Sequence, residues 1–275
     1  MFTVDCKRDP DWLPKALEGL RVLGYTLVEG VLQPGQVDAT RGRMYEVQQA
    51  IRDDVGAERL ESAGELGVLR LMAAYDEHFL SLLELTELLE IVDATVSPTA
   101  ILHLQNGFIL PPQPEGNGRG GTFQQSFHRD FPRYVNGYLC SVNTLLALDD
   151  FTKENGGTIV VPGTHQRPER PDDRFLEAAA ESVECPAGSA IVFDSTLWHA
   201  AGVNRSGHDR SGINQQFTRS FLKQQVDYVR ALGDDLVGRQ PDRVQQLLGW
   251  YTRVVTSLDE YYQPAEHRLY RAGQG

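Results

Sequence analysis

The feature that most constrains the fold is a change in the residue pattern after residue 98. From there to residue 221, short apolar or β-branched runs alternate with segments rich in Gly, Pro, Asn and Asp. The runs are TAILHLQNGFIL, YLCSVNTLLAL, TIVV, SAIVF and SGINQQFTRSFL, and the turn-rich segments include PPQPEGNGRGG, DDFTKENGG and NRSGHD. Short strands separated by such turns are typical of sandwiches and barrels, not of a parallel α/β sheet. The sequence therefore predicts a mainly β core.

Helical patterns flank this core on both sides. In PGQVDATRGRMYEVQQAIRDD, Val37, Met44, Val47 and Ile51 recur at helical spacing behind Pro34, which suits a first turn. DEHFLSLLELTELLEIV predicts a second helix, GYTLVEGVL a short strand, and KQQVDYVRAL and PDRVQQLLGWYTRVV two C-terminal helices. Because no linker interrupts the chain, we expect one domain over residues 1–275. Its expected parts are a helical N-terminal part (1–98), the β core (99–221) and a helical C-terminal part (222–275).

The charge and the cysteines narrow the possible partners and location. The net charge of −12 opposes binding to nucleic acid and to anionic lipid. No apolar run approaches the roughly 20 residues needed to cross a membrane, and the first residues lack the pattern of a secretory signal. The three cysteines, Cys6, Cys140 and Cys185, form no CxxC pair, which argues against a disulfide framework. We expect a cytoplasmic protein with neither nucleic acid nor membrane as a partner.

The segment FHRDFPRY, residues 127–134, contains a candidate pair of metal ligands. His128 and Asp130 are two positions apart, so on a strand both side chains point to the same face. The pair alone is weak evidence, because a surface histidine beside a solvated aspartate gives the same pattern. A metal site needs further groups from elsewhere in the chain.

Two such groups follow later in the sequence. His199 comes just after an apolar strand, and Arg210 stands eleven positions further on, at the head of the next predicted strand. Two imidazoles and one carboxylate can hold one face of an octahedral Fe(II) site, leaving three positions for a chelating cosubstrate and O2. A nearby arginine offers a planar fork for the distal end of a dicarboxylate. This set indicates a non-heme iron oxygenase.

Several segments taken together resemble the phytanoyl-CoA dioxygenase family of Fe(II)/2-oxoglutarate-dependent oxygenases. EGLRVLGYTLVEGVLQPGQVDA is similar to the N-terminal segment of that family, FHRD to its HxD strand, and LLALDDFTKENGGTIVVPGTHQ to its turn and PGSH-type segment. DSTLWHAAGVNRS with Arg210 resembles its distal histidine and its 2-oxoglutarate arginine, and TRSFLKQQ and LLGWY resemble the tail of bacterial members. The resemblance extends from about residue 17 to residue 250.

This resemblance implies a fold and a set of site residues. The fold would be a double-stranded β-helix, a jelly roll of the cupin kind with surrounding helices. The implied contacts are His128, Asp130 and His199 for Fe(II), and Arg210, Asn106 and Asn143 for the cosubstrate 2-oxoglutarate. Asn143 is also notable as a polar residue inside an apolar run, although an amide paired with backbone in the core would look the same.

The activity implied by the resemblance is hydroxylation of a small molecule, with conversion of 2-oxoglutarate and O2 to succinate and CO2. A natural-product intermediate, as in antibiotic biosynthesis, is the expected substrate class. Epimerisation, desaturation or ring closure by the same cofactor chemistry stay open, whereas halogenation is disfavoured because Asp130 is present. Side chains expected to line the substrate pocket are Phe127, Phe131, Arg133 and Trp198.

Two interpretations from other classes remain at this point. A zinc hydrolase could use the same three ligands to activate water, but it gives no reason for Arg210 or for the ENGG and PGTH segments. A jelly-roll binding module without catalysis would bind no 2-oxoglutarate. The loop at 111–121 could be a flap over the pocket or a disordered connection.

Three other polar residues are expected to have minor roles. The resemblance places His165 in a tight turn away from the metal, which indicates a structural role. His103 has the opposite strand parity to Asn106 and is expected to be a packed or surface histidine. Arg129 lies between the two HxD residues, and its parity points it away from the metal.

Overall fold

The structure is a computed structural model that describes residues 2–113 and 123–275. Most of the loop 111–121, for which the sequence leaves both a flap and a disordered connection open, lies outside these ranges. In the described ranges, no helix combines the length and the apolar character that crossing a bilayer requires.

The described chain is rich in β-structure and forms two sheets. The strands, in chain order, are β1 (Thr3–Asp5), β2 (Tyr25–Glu29), β3 (Val68–Arg70), β4 (Ile101–Leu110), β5 (Ser141–Ala147), β6 (Thr158–Val160), β7 (Glu181–Ser182), β8 (Ala190–Asp194), β9 (His199–Ala201) and β10 (Arg210–Thr218). The five runs predicted as strands contain β4, β5, β6, β8 and β10, and GYTLVEGVL contains β2. The part predicted as mainly helical thus also supplies β1 and β3.

Helices precede, follow and connect these strands. They are α1 (Trp12–Leu23), α2 (Pro34–Val55), α3 (Ala57–Ser62), α4 (His78–Ser81), α5 (Thr86–Thr95), α6 (Asp173–Ala178), α7 (Tyr228–Leu232), α8 (Asp234–Gly238), α9 (Asp242–Leu248) and α10 (Leu258–Tyr261). Short 3-10 turns occur at Met72–Ala74, Leu82–Glu84, Phe123–Gln125, Thr164–Gln166 and Ala265–His267.

The larger sheet has seven strands in the order β1-β2-β8-β5-β10-β4-β3, and the smaller has three in the order β7-β6-β9. All neighbouring strands are antiparallel except β1 and β2. β10 lies between β4 and β5, with Asn214 opposite Asn106 on one side and Gln216 opposite Asn143 on the other. The three neighbouring strands β4, β5 and β10 therefore carry polar side chains in the middle of the sheet.

Two clusters of buried apolar side chains show how the layers pack. The larger cluster lies between the seven-stranded sheet and the helices, and includes Met44 of α2 and Val142 of β5. The smaller cluster joins the two sheets, because it contains Val160 of β6 together with Leu145 of β5 and Phe193 of β8. Alternation along β5 thus turns Val142 to the helices and Leu145 to the smaller sheet.

The N-terminal helix α2 forms as its sequence predicts. Pro34 occupies the first turn, and the side chains of Gln33 and Gln36 bond each other's backbone N–H groups as a capping box. The predicted apolar positions are buried against the sheet. The helix therefore closes one side of the core through a single apolar stripe.

The segment DEHFLSLLELTELLEIV does not form the one helix that its pattern predicts. A 3-10 turn follows α4, and Leu85 adopts an extended conformation with ψ 103° before α5 begins. Two glutamines of the sheet account for the break. Gln105 Nε2 donates to Phe79 O at 2.9 Å, and Gln215 Nε2 donates to Leu82 O at 3.2 Å, so both carbonyls are bonded to sheet side chains.

The helices after residue 221 are shorter than predicted. KQQVDYVRAL contains only α7, and PDRVQQLLGWYTRVV contains only α9. α9 ends at Leu248 because Gly249 takes the left-handed conformation, φ 88°, and donates its N–H to Gln246 O at 3.0 Å. A left-handed glycine is a common helix stop.

Candidate metal centre

Backbone pairing brings the two candidate histidines together. His128 N donates to His199 O at 2.9 Å, and His199 N donates to His128 O at 3.1 Å. This is an isolated antiparallel bridge, so the predicted HxD strand is reduced to one pair. Because directly opposed residues of an antiparallel pair lie on the same face, both imidazoles point to the same side. Their ring centroids are 4.3 Å apart.

The carboxylate of Asp130 completes a compact group of three. Asp130 Oδ1 lies 3.4 Å from His128 Nε2, and Asp130 Oδ2 lies 3.7 Å from His199 Nε2. One potential ligand atom from each residue lies within 4.8 Å of the others. Two ligands at roughly 2.1 Å from one ion and at right angles would be about 3 Å apart, so the spacing suits a shared ion.

Each imidazole has a carbonyl oxygen within hydrogen-bond distance of its Nδ1 atom. His128 Nδ1 lies 2.8 Å from Ser126 O, and His199 Nδ1 lies 3.0 Å from Leu197 O. A carbonyl oxygen can only accept, so Nδ1 carries a proton in both rings, and Nε2 is the nitrogen that faces the centre. Metal-bound histidines usually have such a second partner, which sets the tautomer and the ring orientation.

The charges of the group also suit a cation. Burial lowers the pKa of His199 to about 4, with Asp130 opposing and His128 reinforcing the shift. Burial alone would raise the pKa of Asp130, but His199, His128 and the Asn143 amide together hold it below its usual value. The pKa of His128 is raised because its contact with Asp130 outweighs burial. At neutral pH the centre thus contains a half-buried carboxylate and a neutral imidazole at His199.

Arg210 is a buried charged residue on the same side of the sheet. It is the first residue of β10 and only 4% exposed. Its Nη2 donates to Gly156 O at 2.9 Å, while its Nε has no hydrogen-bond partner within the described residues. Burial lowers the pKa of Arg210 to about 10; Asp149, which opposes this shift, is itself paired with Arg41 at 3.1 Å. A buried guanidinium with unused donors is a site for an anion.

The comparisons with known proteins fit this geometry. The sequence profile of the phytanoyl-CoA dioxygenase (PhyH) family matches residues 20–212. The chain belongs to the phytanoyl-CoA dioxygenase family. It is 60% identical over 263 residues to an uncharacterized protein of Mycobacterium tuberculosis, with 96% of each chain covered. It is 25% identical over 284 residues to the dioxygenase FrzG of a Cladobotryum species, covering 90% of this chain and 89% of the relative.

A shorter match points to the same chemistry. Dioxygenase andF of Emericella variicolor is 32% identical over 116 residues, which are 41% of this chain and 39% of the relative. Membership of the phytanoyl-CoA dioxygenase family and these dioxygenase relatives identify the chain as an oxygenase.

The two asparagines predicted for the cosubstrate lie in one polar row of this family member. Asn143 Nδ2 donates to Asp130 Oδ2 at 2.6 Å and to Asn214 Oδ1 at 3.2 Å. Asn106 lies opposite Asn214 on the neighbouring strand. In the amide orientation that satisfies both ends, Asn106 donates to Gln105 O and accepts from Arg70 Nη1 at 3.2 Å. The row thus extends from Asp130 across neighbouring strands of the sheet to Asn106.

The side chains predicted for the substrate pocket are placed differently from one another. The Trp198 ring lies close to two guanidinium groups, 5.0 Å from Arg129 Cζ and 5.3 Å from Arg170 Cζ. Neighbours on an extended segment point to opposite sides, so this ring faces away from His199. Phe127 and Phe131 are half-buried and Arg133 is exposed, all in the segment that carries the ligands.

Arg129 points away from the metal centre, as predicted, and His165 lies in a turn, as predicted. Arg129 turns away from the metal centre and donates to the carbonyl oxygens of Thr164, Arg167 and Pro168. His165 lies in the 3-10 turn, with Nε2 3.3 Å from Arg21 O. Both side chains hold the 164–168 segment against the rest of the chain.

His103 is a position where the parity argument fails. The β4–β10 register slips between Gln216 and Phe217, which lie opposite Leu104 and Leu102. His103 is therefore the extra residue of a β-bulge, and its orientation does not follow from Asn106. Burial lowers the pKa of His103, whereas the Lys223 backbone and Asp130 oppose that shift.

Four polar residues near Asp130 were not singled out from the sequence. Ser141, Ser195 and Gln216 are buried, and Asn214 is half-buried. The available signal was the presence of polar residues in otherwise apolar strand runs, the same signal that marks Asn143. The pattern does not say which of these side chains meet, because they come from different strands.

Proposed function

We propose that this chain is an Fe(II)- and 2-oxoglutarate-dependent dioxygenase that hydroxylates a small molecule. The observation that supports the proposal most directly is the convergence of His128, Asp130 and His199, with both Nδ1 atoms bonded to carbonyls. Two imidazole nitrogens and one carboxylate are the donor set of the facial iron sites in oxygenases. The residues present therefore fit the metal that the family implies.

Arg210 favours this proposal over a zinc hydrolase with the same three ligands. A hydrolase requires the metal and a water molecule, and this chemistry alone gives no reason for a buried guanidinium with free donors. A keto diacid that chelates the metal at one end has a second carboxylate at the other, and Arg210 would bind it. Arg210 and Asn214 are four positions apart on β10, so they lie on the same face of the strand.

Arg210 and the two asparagines of the polar row each have a definite part in this proposal. Arg210 would hold the distal carboxylate of 2-oxoglutarate, with Gly156 O fixing its guanidinium. Asn106 and Asn143 would border the cosubstrate along the polar row. Bound iron and 2-oxoglutarate would supply O2 activation, with release of succinate and CO2 and oxidation of the substrate. The protein contributes orientation and exclusion of bulk water.

The finer features of fold and substrate belong to the same proposal. The two sheets packed through Val160, Leu145 and Phe193 support a double-stranded β-helix over a single domain of residues 1–275. We infer a natural-product intermediate as the substrate, with Phe127, Phe131, Arg133 and Trp198 as the proposed pocket side chains. Epimerisation, desaturation and ring closure are alternative outcomes of the same oxidation.

The test is a binding and turnover experiment on the intact chain. Mn(II) serves as an O2-stable replacement for Fe(II), and calorimetry measures 2-oxoglutarate binding with and without it. We expect binding that requires the metal and is lost in His128→Ala and His199→Ala. Anaerobically loaded Fe(II) protein exposed to O2 should release succinate. Absence of 2-oxoglutarate binding together with hydrolysis of an ester or peptide panel by the zinc form would replace the proposal by the hydrolase.

A further inference from the structure

A line of buried polar side chains runs from the interior of the large sheet to the carboxylate of Asp130. Gln216 Nε2 lies 3.0 Å from Ser141 Oγ, and Ser141 Oγ lies 2.8 Å from Ser195 Oγ. Ser195 Oγ donates to Asn143 Oδ1, and Asn143 Nδ2 donates to Asp130 Oδ2 at 2.6 Å. The four side chains of the line before Asp130 are at most 2% exposed.

The chemistry of these groups gives the line one direction of hydrogen donation. An amide NH2 can only donate, so Gln216 donates to Ser141, and Asn143 donates to Asp130. The single hydroxyl proton of Ser195 points to the carbonyl oxygen of Asn143. Ser195 Oγ therefore accepts from Ser141, whose own proton is thereby used. Every donor points toward Asp130, and bonds aligned in this way strengthen one another at low dielectric.

The end of the line determines which oxygen of Asp130 stays available. Oδ2, which lies 3.7 Å from His199 Nε2, is the oxygen that accepts the 2.6 Å bond from Asn143, whereas Oδ1 lies 3.4 Å from His128 Nε2. Rotation of the carboxylate would break the bond to Asn143. Rotation of the Asn143 amide is prevented in turn, because its oxygen is held by Ser195 and its nitrogen also donates to Asn214 Oδ1 at 3.2 Å.

We propose that Ser141, Ser195 and Asn143 are positioning residues that hold Asp130 as a ligand through one oxygen, Oδ1. The proposal rests on the proposed metal site and adds a reason for the orientation of its carboxylate. Asn143 thus has a role toward the metal ligand in addition to the cosubstrate contact predicted for it. Loss of the line would allow Asp130 to turn or to bind through both oxygens, which occupies a position needed by other ligands.

The variants are chosen to separate positioning from packing. Asn143→Ala removes the donor to Asp130, and Ser195→Ala removes only the group that holds the amide of Asn143. Thr144→Val is the matched control, because Thr144 is a fully buried neighbour on the same strand and bonds Gln215 Oε1 at 3.3 Å, on the other face. Ser195→Thr keeps a hydroxyl at the same place and tests for rescue.

The readout is metal binding, independent of turnover. Co(II) is titrated into each anaerobic protein, with the affinity measured by calorimetry and the coordination by visible absorption. Thermal melting gives the folded fraction at the working temperature, to which the affinities are normalised. We expect Asn143→Ala to weaken Co(II) binding by about 10–100-fold and Ser195→Ala to weaken it less, both with altered spectra. Thr144→Val should match the wild type, and Ser195→Thr should bind more tightly than Ser195→Ala.

Two results would overturn this inference while leaving the metal site in place. One is wild-type affinity and an unchanged spectrum in both Asn143→Ala and Ser195→Ala. The other is an equal loss of affinity in those variants and in Thr144→Val, which would show a general packing defect. Failure of the wild-type protein to bind Co(II), Mn(II) or Fe(II) would instead contradict the proposed function itself.

Discussion

The guanidinium of Arg210 lies over the ring of Phe151, with 4.5 Å between its central carbon and the ring centroid. Its Nη2 is bonded to Gly156 O, and its buried Nε has no partner in the part of the chain that the structure describes. A ring face stabilises a guanidinium less than a bidentate carboxylate does. The free protein therefore contains a buried positive charge that is only partly satisfied, with consequences for both ligand binding and stability.

Arg210→Ala should greatly weaken 2-oxoglutarate binding in the presence of Mn(II). Truncation of one partner of a buried, hydrogen-bonded charge pair makes the binding free energy less favourable by about 2–5 kcal/mol. Arg210→Lys should recover only part of this, because an ammonium lacks the planar fork. Calorimetry at constant Mn(II) measures the effect. Arg253→Ala is the control, since Arg253 is also stacked on a ring, that of Trp250 at 3.8 Å, but lies in the C-terminal part. Wild-type affinity in Arg210→Lys would argue against a carboxylate held by the fork.

Although loss of Arg210 should weaken ligand binding, Arg210→Met should make the ligand-free protein more stable. Replacement of a poorly compensated buried charge by an apolar side chain of similar length is expected to raise the free energy of unfolding by about 1 kcal/mol or more. Urea unfolding without metal or 2-oxoglutarate measures this. At constant Mn(II), addition of 2-oxoglutarate at 100 times its dissociation constant should stabilise the wild type by about 2.7 kcal/mol and the variant much less. A less stable ligand-free variant would show that Phe151 and Gly156 already satisfy the arginine.

The candidate ligands could be found from sequence because each pair of them lies within a short segment. His128 and Asp130 are two positions apart, and His199 and Arg210 frame one turn between predicted strands. The structure adds what no local pattern contains, namely that His128 and His199 are paired through their backbones. Metal chemistry alone predicts from the sequence that the three groups converge. In the structure, the backbone bridge between His128 and His199 brings them together.

The polar line and the breaks in the elements could not be predicted, because both depend on contacts between distant positions. Ser195 and Asn143 are 52 residues apart, and Gln216 and Ser141 are 75 apart. The long helix predicted before residue 98 is interrupted because Gln105 bonds Phe79 O across the core. Periodicity describes one element at a time and carries no information on such partners.

The ENGG turn behind Arg210 gives a prediction about a single glycine. Gly156 has φ 78°, and an added Cβ would lie 2.9 Å from both Asn204 N and Gly202 O. Gly156→Ala should therefore lower the free energy of unfolding by about 1–3 kcal/mol. Because Gly156 O also fixes Arg210, the variant should weaken 2-oxoglutarate binding beyond the loss of folded protein. Urea unfolding and calorimetry with Mn(II) measure the two effects.

Gly163→Ala is the matched control for this variant. Gly163 has the same φ of 78°, but nothing lies within 4 Å of its added Cβ. It should show only the conformational cost of a left-handed alanine, about 1–2 kcal/mol, with 2-oxoglutarate binding retained. Equal effects of the two substitutions on stability and on binding would show that the contacts behind Gly156 do not matter.

The environment of His78, which is far from the metal ligands in sequence, predicts that the free energy of unfolding depends on pH. Its Nε2 lies 2.8 Å from Thr40 Oγ1 in a partly buried site of α4. Burial lowers the pKa of His78, Arg43 adds to the shift, and Asp76 opposes it. Since the folded-state pKa lies below the unfolded value, the unfolded chain binds the proton more tightly. The contribution of neutral His78 is therefore complete above about pH 6.5 and is lost as the pH falls toward the folded-state pKa.

The measurement compares wild type and His78→Gln by urea unfolding between pH 7.5 and 5. We expect the stability of the wild type to fall more steeply with acidification than that of His78→Gln, which has no proton to take up at this position. His267→Gln, at an exposed histidine near the C-terminus, should follow the wild type over the whole range. Parallel curves for wild type and His78→Gln would mean that burial does not disfavour the charged imidazole in α4, and that its contact with Thr40 persists after protonation.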